Sequence, residues 1–493
     1  AAGILDGLFF LKIIAIIFLG GILSTVSIGF VDNYFEISKN LDIFATLFRE
    51  VNIYYVDKTN PGSLIEKSIE GMLGSLDPYT VYIPESEIED HQFTITGQYG
   101  GIGALIRKKG DHIIIAEPYE GFPAHKAGLI AGDVLLEVDG VKIEGKNTGD
   151  VSKVLKGQKG SPVKLLIKRE GEPKPFELNL IRDEIVINSV PYYGMLNDHI
   201  GYVMLNSFTD NAFEEVKKAL LKMKENKELH GVILDMRGNP GGLLREAVNI
   251  VNLFVEKGQD IVSTKGKLKE WDKVHRALNA PIDLDIPLAV LVNRQSASAS
   301  EIVSGAIQDL DRGVVIGQRT FGKGLVQQTL KLSYNAQLKV TTAKYYIPSG
   351  RCIQALDYTH RNEDGSVGSI PDSLITEFKT KKGRNVYDGG GIDPDITTLV
   401  EKQSMIASQL ASQLLIFDFA SIYRRSHPKI SSPKEFILTD DEYKDFMEFI
   451  KDKDYQYTSR TEKTLEELKN AATQEQYYSE SEQEFEALKK KLS

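Results

Sequence analysis

Cysteine is almost absent. The 493 residues hold a single one, Cys352, which excludes an internal disulfide and any metal cluster built on thiolates. That scarcity says little about compartment, since many exported bacterial proteins lack disulfides. Histidine is nearly as sparse: eight residues, scattered, with no H-E-x-x-H and no close pair, so no zinc site is expected. Basic charge is also short, with 59 Lys and Arg against 69 Asp and Glu and a net charge of −10. No basic surface invites nucleic acid. What is present (42% hydrophobic, 26% charged) describes a globular chain with ample core, and the length predicts two to four domains.

One stretch differs from the rest. From Ile13 to Val31 no charged residue occurs, and Leu8-Phe-Phe-Leu11 extends the apolar run upstream of Lys12. About 18 such residues suffice to cross a bilayer. The run is long for a signal-peptide core, and Ser24-Thr-Val-Ser27 is a poor cleavage site. The expectation is therefore an uncleaved anchor within residues 1–35, holding an exported body to the inner membrane on its periplasmic side. A cleaved signal with release to the periplasm is the main alternative, and a buried core helix the lesser one.

The chemistry concentrates between Asn293 and Gln328. A short apolar strand, 287–292, breaks into Ser296-Ala-Ser-Ala-Ser-Glu301, and Ile302, Ala306 and Leu310 then recur at helical spacing. A second strand, 313–317, leads into a loop holding Lys323 between Gly322 and Gly324. A serine at a strand-to-helix turn exposes its hydroxyl where a helix N-terminus offers free N–H groups to an oxyanion. Glycines on either side let the lysine approach it. A plainer reading makes Ser298 or Ser300 an N-cap. Gly317 to Gly324 also spells G-x-x-x-x-G-K-G, but Gly324 has no hydroxyl for magnesium, so the phosphate-loop reading is weak.

Ser-Ala-Ser-Ala-Ser-Glu (296–301) followed by Thr-Phe-Gly-Lys-Gly-Leu-Val-Gln-Gln (320–328) resembles the active-site signature of the carboxyl-terminal processing, or tail-specific, proteases. The resemblance implies Ser298 as nucleophile, Lys323 as its base, and Gln327, one helical turn later, orienting the lysine. Asp235-Met-Arg-Gly-Asn-Pro-Gly-Gly242 is similar to the family's D-x-R-x-N-x-G-G element. A plain strand-helix turn would explain it without the serine motif. With that motif, Gly241 and Gly242 are assigned jointly to an oxyanion hole, with the N–H of Ala299 as partner donor, and Asp235 and Arg237 brace the turn. Burial of Lys323 against Phe321 and Val326 is expected to favour the neutral amine a base requires. His275 is the rival base. No metal or organic cofactor is implied.

The remaining chain divides around this centre. Residues 36–96 carry apolar stripes (Leu41, Phe44, Leu47, Val51; then Leu64, Ile65, Ile69, Leu73) and read as a helical region. In the family this region packs on the protease body and often helps form a homodimer. Residues 97–184 resemble a PDZ domain, through Gly100-Gly-Ile-Gly103 before a strand and Gly132-Asp-Val-Leu-Leu-Glu-Val-Asp-Gly140. There Gly101, Ile102 and Gly103 are the expected carboxylate loop, and a peptide would add a strand beside 104–106. A lone G-x-G is more often a tight turn. Residues 185–400 alternate strands (200–205, 232–234, 288–292, 314–316) with helices, which indicates α/β architecture. The resemblance implies a crotonase-like, two-layer protease core with the PDZ inserted and helical regions at both ends. Residues 401–493 are helical and charged, a dimerising tail or a partner-binding arm.

The expectation is a membrane-associated serine endopeptidase that selects envelope protein substrates by accessible C-terminal tails and cuts them with a Ser-Lys dyad. The rivals are a non-catalytic PDZ scaffold and a crotonase-like enzyme acting on acyl-coenzyme A.

Overall fold

The computed structural model describes residues 34–492 except 363, 401–403, 428, 434, 454 and 456–459. The expected membrane anchor therefore lies largely outside the described residues. The chain forms two units. In the first, residues 34–54 are helical, Pro61–Gly74 is a second helix capped by the Asn60 side chain, and the strand Val81–Ile83 runs beside residues 338–340.

The second unit begins with the helix Ile88–Thr96 and a PDZ-like module. Five antiparallel strands lie in the order Ala104–Lys109, His112–Pro118, Val134–Val138, Pro162–Lys168, Phe176–Ile181. Alternating apolar residues face inward, with Ile113, Ile115, Leu135, Leu165 and Ile167 fully buried. The strand Ala104–Lys109 is an edge of this sheet and lies alongside the helix Thr148–Leu155, whose start is capped by Asn147. Outside the sheet, Gln98–Gly101 pairs with Asp183–Val186 where the chain enters and leaves the module.

The body follows: β1 (Tyr192–Met195), β2 (Ile200–Met204), α1 (Ala212–Met223), β3 (Gly231–Asp235), α2 (Leu244–Asn252), β4 (Leu288–Val292), α3 (Ala299–Asp309), β5 (Val314–Gly317), β6 (Leu325–Lys331), β7 (Gln337–Tyr346) and β8 (Ile396–Thr397). The main sheet runs β1-β2-β3-β4-β5-β8, antiparallel only at β1. Each parallel step advances in one direction, and successive right-handed crossovers then place their helices together. Accordingly α2 packs between α1 and α3. β6 pairs with β7, which also pairs with Asp260–Gly266 in a second sheet.

The helix α3 is unusual because every residue from Ala299 to Asp309 is buried. Its sequence looked one-sided, yet its polar side is buried as well and is satisfied internally. Ser304 donates to the Ser300 carbonyl, and Gln308 donates to the Asp393 carbonyl and to Asp395. At its far end Asp309 forms an ion pair with Arg351 at 2.8 Å, both fully buried. Such a pair anchors a helix at one position, because removing either partner strands a charge in the core.

Among the described residues five helices lie between Met405 and Leu492, with a small core of Leu410, Leu415 and Ile450. One of them, Leu415–Ser426, meets the PDZ-like module through Asp418 on Lys109 (2.6 Å) and Arg425 on Glu170 (3.0 Å). Among the described residues no single helix is long and apolar enough to cross a membrane. The bent pair Met405–Ser412 and Leu415–Ser426 passes by length and composition alone.

Candidate active site

The C-terminal ends of β3 and β4 carry the two turns singled out in sequence, where open α/β sheets usually place their ligands. Three serines lie between the end of β4 and the first turn of α3, and burial separates them. Ser296 and Ser300 are fully buried and donate to the carbonyls of Met236 (2.8 Å) and Asn239 (3.0 Å). Ser298 between them is partly exposed. It occupies the N-cap position of α3, as the plainer reading allowed, but with φ +55° and ψ −112°. A non-glycine residue held there stores about 1–3 kcal/mol of backbone strain, which persists only where neighbours over-determine it.

The glycine turn after β3 presses against this serine. A Cβ on Gly241 would lie 2.7 Å from the Ala297 carbonyl oxygen and 2.9 Å from Ser298 Cβ, so only glycine fits. The N–H of Gly241 is already used, donating to Asn239 Oδ1 at 2.9 Å. That corrects the joint assignment of the two glycines. Among the described residues no acceptor meets the N–H of Gly242 or of Ala299, and these two remain as candidate oxyanion donors. Buried Asn239 also donates to the Leu205 carbonyl, and its own carbonyl takes the Ala297 N–H, which sews the two turns together. Asp235 and Arg237 brace the turn as expected. The guanidinium contacts both carboxylate oxygens, and Tyr202 donates to the same carboxylate at 2.7 Å. Burial pulls the Asp235 carboxyl up, but these donors outweigh it and hold it below the usual range.

Lys323 is half-buried in its loop. A Cβ on Gly322 would lie 2.4 Å from the Ala355 Cβ, which fixes glycine before the lysine. The 389–395 segment holds the loop from behind, where the Thr320 N–H donates to the Ile392 carbonyl and the Ile392 N–H donates to the Thr320 hydroxyl. Two expectations need correction. Gln327 lies on strand β6 and not one helical turn beyond the lysine, and its amide donates to Thr341 on β7 at 3.1 Å. Phe321 is 49% exposed and does not enclose the lysine. The rival base His275 sits on the strand Lys273–Arg276, paired with Val262, and makes no hydrogen bond to Ser298.

The residue that ties serine to lysine went unassigned in the sequence. Glu301, fully buried on the first turn of α3, accepts the N–H of Ser298 (2.7 Å) and of Lys323 (2.9 Å) on one carboxylate oxygen. Its other oxygen accepts the Thr320 hydroxyl (2.6 Å) and the Gly322 N–H (2.7 Å). The signal was Ser-x-x-Glu, the capping-box spacing, which holds here and is extended to a second loop.

At the PDZ-like module, Gly101, Ile102 and Gly103 are buried, and a Cβ on Gly103 would lie 2.5 Å from that of Phe122. The carbonyls of Ile102 and Gly103 accept from Ala124 (2.7 Å) and Tyr119 (2.9 Å). In planar trans peptides the N–H points opposite to the preceding carbonyl, so the Gly103 and Ala104 N–H groups turn away from those partners. Ala104 opposite Pro118 is a non-hydrogen-bonded pair, which leaves its polar groups on the open edge.

Histidines scattered in sequence do meet once. His199 and His230, stacked with centroids 4.7 Å apart, lie with Glu228 at the exposed N-terminal ends of β2 and β3, the sheet edge opposite Ser298. Among the described residues these are the group that could hold a metal ion, and parallel rings aim their lone pairs side by side rather than at one point.

The Peptidase family S41 profile matches residues 199–360, a PDZ domain profile residues 114–169, and the profile "Probable PDZ-protease, C-terminal helical domain" residues 406–493. The carboxy-terminal-processing protease of Bartonella bacilliformis is 37% identical over 324 residues, covering 65% of this chain and 74% of that one. The chain belongs to the carboxy-terminal-processing proteases of Peptidase family S41. A probable CtpA-like serine protease of Staphylococcus epidermidis is 36% identical over 418 residues, 83% of this chain and 82% of its own. Among solved structures, a photosystem II D1 C-terminal processing protease is 28% identical and covers 72% of this chain and 92% of its own, at a TM-score of 0.39. The profiles and the described elements give an α/β fold with an S41 peptidase core, a PDZ domain and helical ends. The protein is a serine-type C-terminal processing peptidase.

Glu301 makes this site pH-dependent. Burial drives its carboxyl up to about 6, against four hydrogen bonds that favour the ionised form. The folded value lies above that of a free glutamate, about 4.3. The group's contribution to stability is therefore full below the unfolded value and is lost as pH rises through about 6. Activity runs the other way, because a proton on Glu301 puts a donor where the site needs an acceptor. Cleavage should fall as pH drops below about 6. Glu301→Gln, which brings a permanent donor, should lose about tenfold or more of kcat at neutral pH. A folded Glu301→Gln protein with the parent rate and profile would remove this role.

Proposed function

We propose that Ser298 is the nucleophile and Lys323 its general base, in an exported, membrane-anchored peptidase that takes envelope proteins by their C-terminal tails. One observation carries the catalytic part of this reading. The one serine of the three that is not buried is the one whose main chain shares a carboxylate oxygen with the main chain of Lys323.

The neutral lysine amine takes the hydroxyl proton as the Ser298 oxygen bonds to the scissile carbonyl carbon. The oxyanion is received by the N–H groups of Gly242 and Ala299. The ammonium returns its proton to the leaving amine as the C–N bond breaks, and water then releases the acyl group by the same proton path. The neutral amide of Gln327, held on β6 by Thr341, is assigned to orient the lysine, because it adds no negative charge that would keep the amine protonated. Ser298→Ala should abolish cleavage in a folded protein. Lys323→Arg should be equally inactive, since guanidinium does not release its proton in this range, whereas His275→Ala should keep a substantial part of the rate. The reverse pattern, with Lys323→Arg active and His275→Ala dead, would replace the lysine as base.

Tail selection is assigned to Gly101, Ile102 and Gly103 with the open edge at Ala104. A free carboxylate meets N–H groups turned toward it, and charge-assisted bonds of a few kcal/mol correspond to tenfold or more in affinity. A peptide ending in a free carboxylate should therefore bind at least about tenfold more tightly than its amide. Equal affinities by calorimetry would end the tail-recognition claim and leave the catalytic one standing.

Anchoring rests on the uncharged run from Ile13 to Val31. The protein should stay in the membrane fraction after an alkaline carbonate wash. A soluble mature form starting near Val31 would show a cleaved signal instead.

A further inference from the structure

Strand β7 ends in Ala343-Lys344-Tyr345-Tyr346, and its alternation turns Ala343 and Tyr345 inward while Lys344 faces solvent. Tyr345 is 1% exposed. A phenol buried so completely has to find a partner for its O–H. This one has two. Its oxygen lies 2.6 Å from the Lys323 carbonyl oxygen and 3.1 Å from that of Ser298, and its single proton is shared between them with the lysine carbonyl nearer. Its own N–H donates to the Gly324 carbonyl at 2.9 Å, so the residue grips the lysine loop twice.

This arrangement complements that of Glu301. The carboxylate holds Ser298 and Lys323 by their N–H groups, and the phenol holds the same two residues by their C=O groups. The carboxylate acts from α3 on one side and the phenol from β7 on the other, so the main chain of Ser298 and that of Lys323 are each held at both N–H and C=O. Ser298 needs such restraint, because its φ of +55° relaxes unless the surroundings prevent it. The phenol also stays a donor throughout the working range. Burial first, and then the neighbouring Glu301 and Cys352, push its ionisation well above the ordinary value of 10.0.

We propose that Tyr345 is a positioning residue whose phenolic O–H, by bridging the carbonyls of Ser298 and Lys323, sets the nucleophile in register with its base. It touches neither substrate nor reacting atoms. The inference rests on the Ser298–Lys323 reading and goes beyond it by naming what aligns the two.

The test is Tyr345→Phe in the full-length protein, which keeps the buried ring and removes only the oxygen. Misplacement of reacting groups by about 1 Å costs about a hundredfold in rate. Tyr345→Phe should therefore lose tenfold to a hundredfold in kcat on a peptide substrate with KM unchanged. The rate at which an excess of a fluorophosphonate labels Ser298 should fall in the same proportion. A packing role alone would lower the urea midpoint without this split. Should the phenylalanine protein fail to fold, Tyr345→Met carries the same measurements, because its flexible side chain adapts to irregular space. Parent values of kcat and labelling rate in a folded variant would overturn the proposal, as would a rise in KM at unchanged kcat. Ser298→Ala, run alongside, separates the two levels of the account. If it still cleaves, the Ser298–Lys323 reading itself fails. If it is dead while Tyr345→Phe cleaves at the parent rate, only the role of Tyr345 is lost.

Discussion

A single buried carboxylate organises this enzyme. Glu301 gathers donors from two segments separated in sequence: the Ser298 turn, and the lysine loop with the threonine just before it. An ionised carboxylate without water must accept several hydrogen bonds or lose its charge. That requirement can be met only when the turn after β4 and the loop before β6 are both in place. The demand of one side chain thus becomes a constraint on the spacing of serine and lysine.

The rest of the core secures the two ends of that constraint. α3 is buried on every side, fixed at its start by Glu301 and at its end by the Asp309–Arg351 pair. The glycine turn after β3 is pressed so close to Ser298 that no side chain is tolerated at Gly241, and Asn239 spends its polar atoms joining that turn to its neighbours. Among the described residues two N–H groups, at Gly242 and Ala299, are left without acceptors beside this turn. Catalytic sites hold such unsatisfied donors ready because their partner exists only during the reaction.

Much of this could be read in the sequence, where local rules determine the outcome. The strands around 200–205, 232–234, 288–292 and 314–316 follow from short apolar runs bounded by turn residues, and the PDZ-like sheet follows from its glycine punctuation. The motifs at Ser298 and Lys323 led to the family because two signatures and their separation agreed. What stayed hidden depends on long-range contacts. The resemblance implied Gln327 one helical turn beyond Lys323, but pairing with β7 makes that segment a strand. The two glycines could not be told apart until Asn239 was seen to occupy one N–H. Tyr345 carried no signal beyond its place in an alternating strand, since its partners lie 22 and 47 residues away.

The most direct test of the account is to trap the acyl-enzyme. A slowly deacylating ester substrate, quenched in acid during turnover and followed by peptide mapping in a mass spectrometer, identifies the oxygen that forms the covalent bond. The account predicts the acyl mass on Ser298 and none on Ser296 or Ser300. Acylation of either buried serine, or full turnover with no serine acylated, would contradict it.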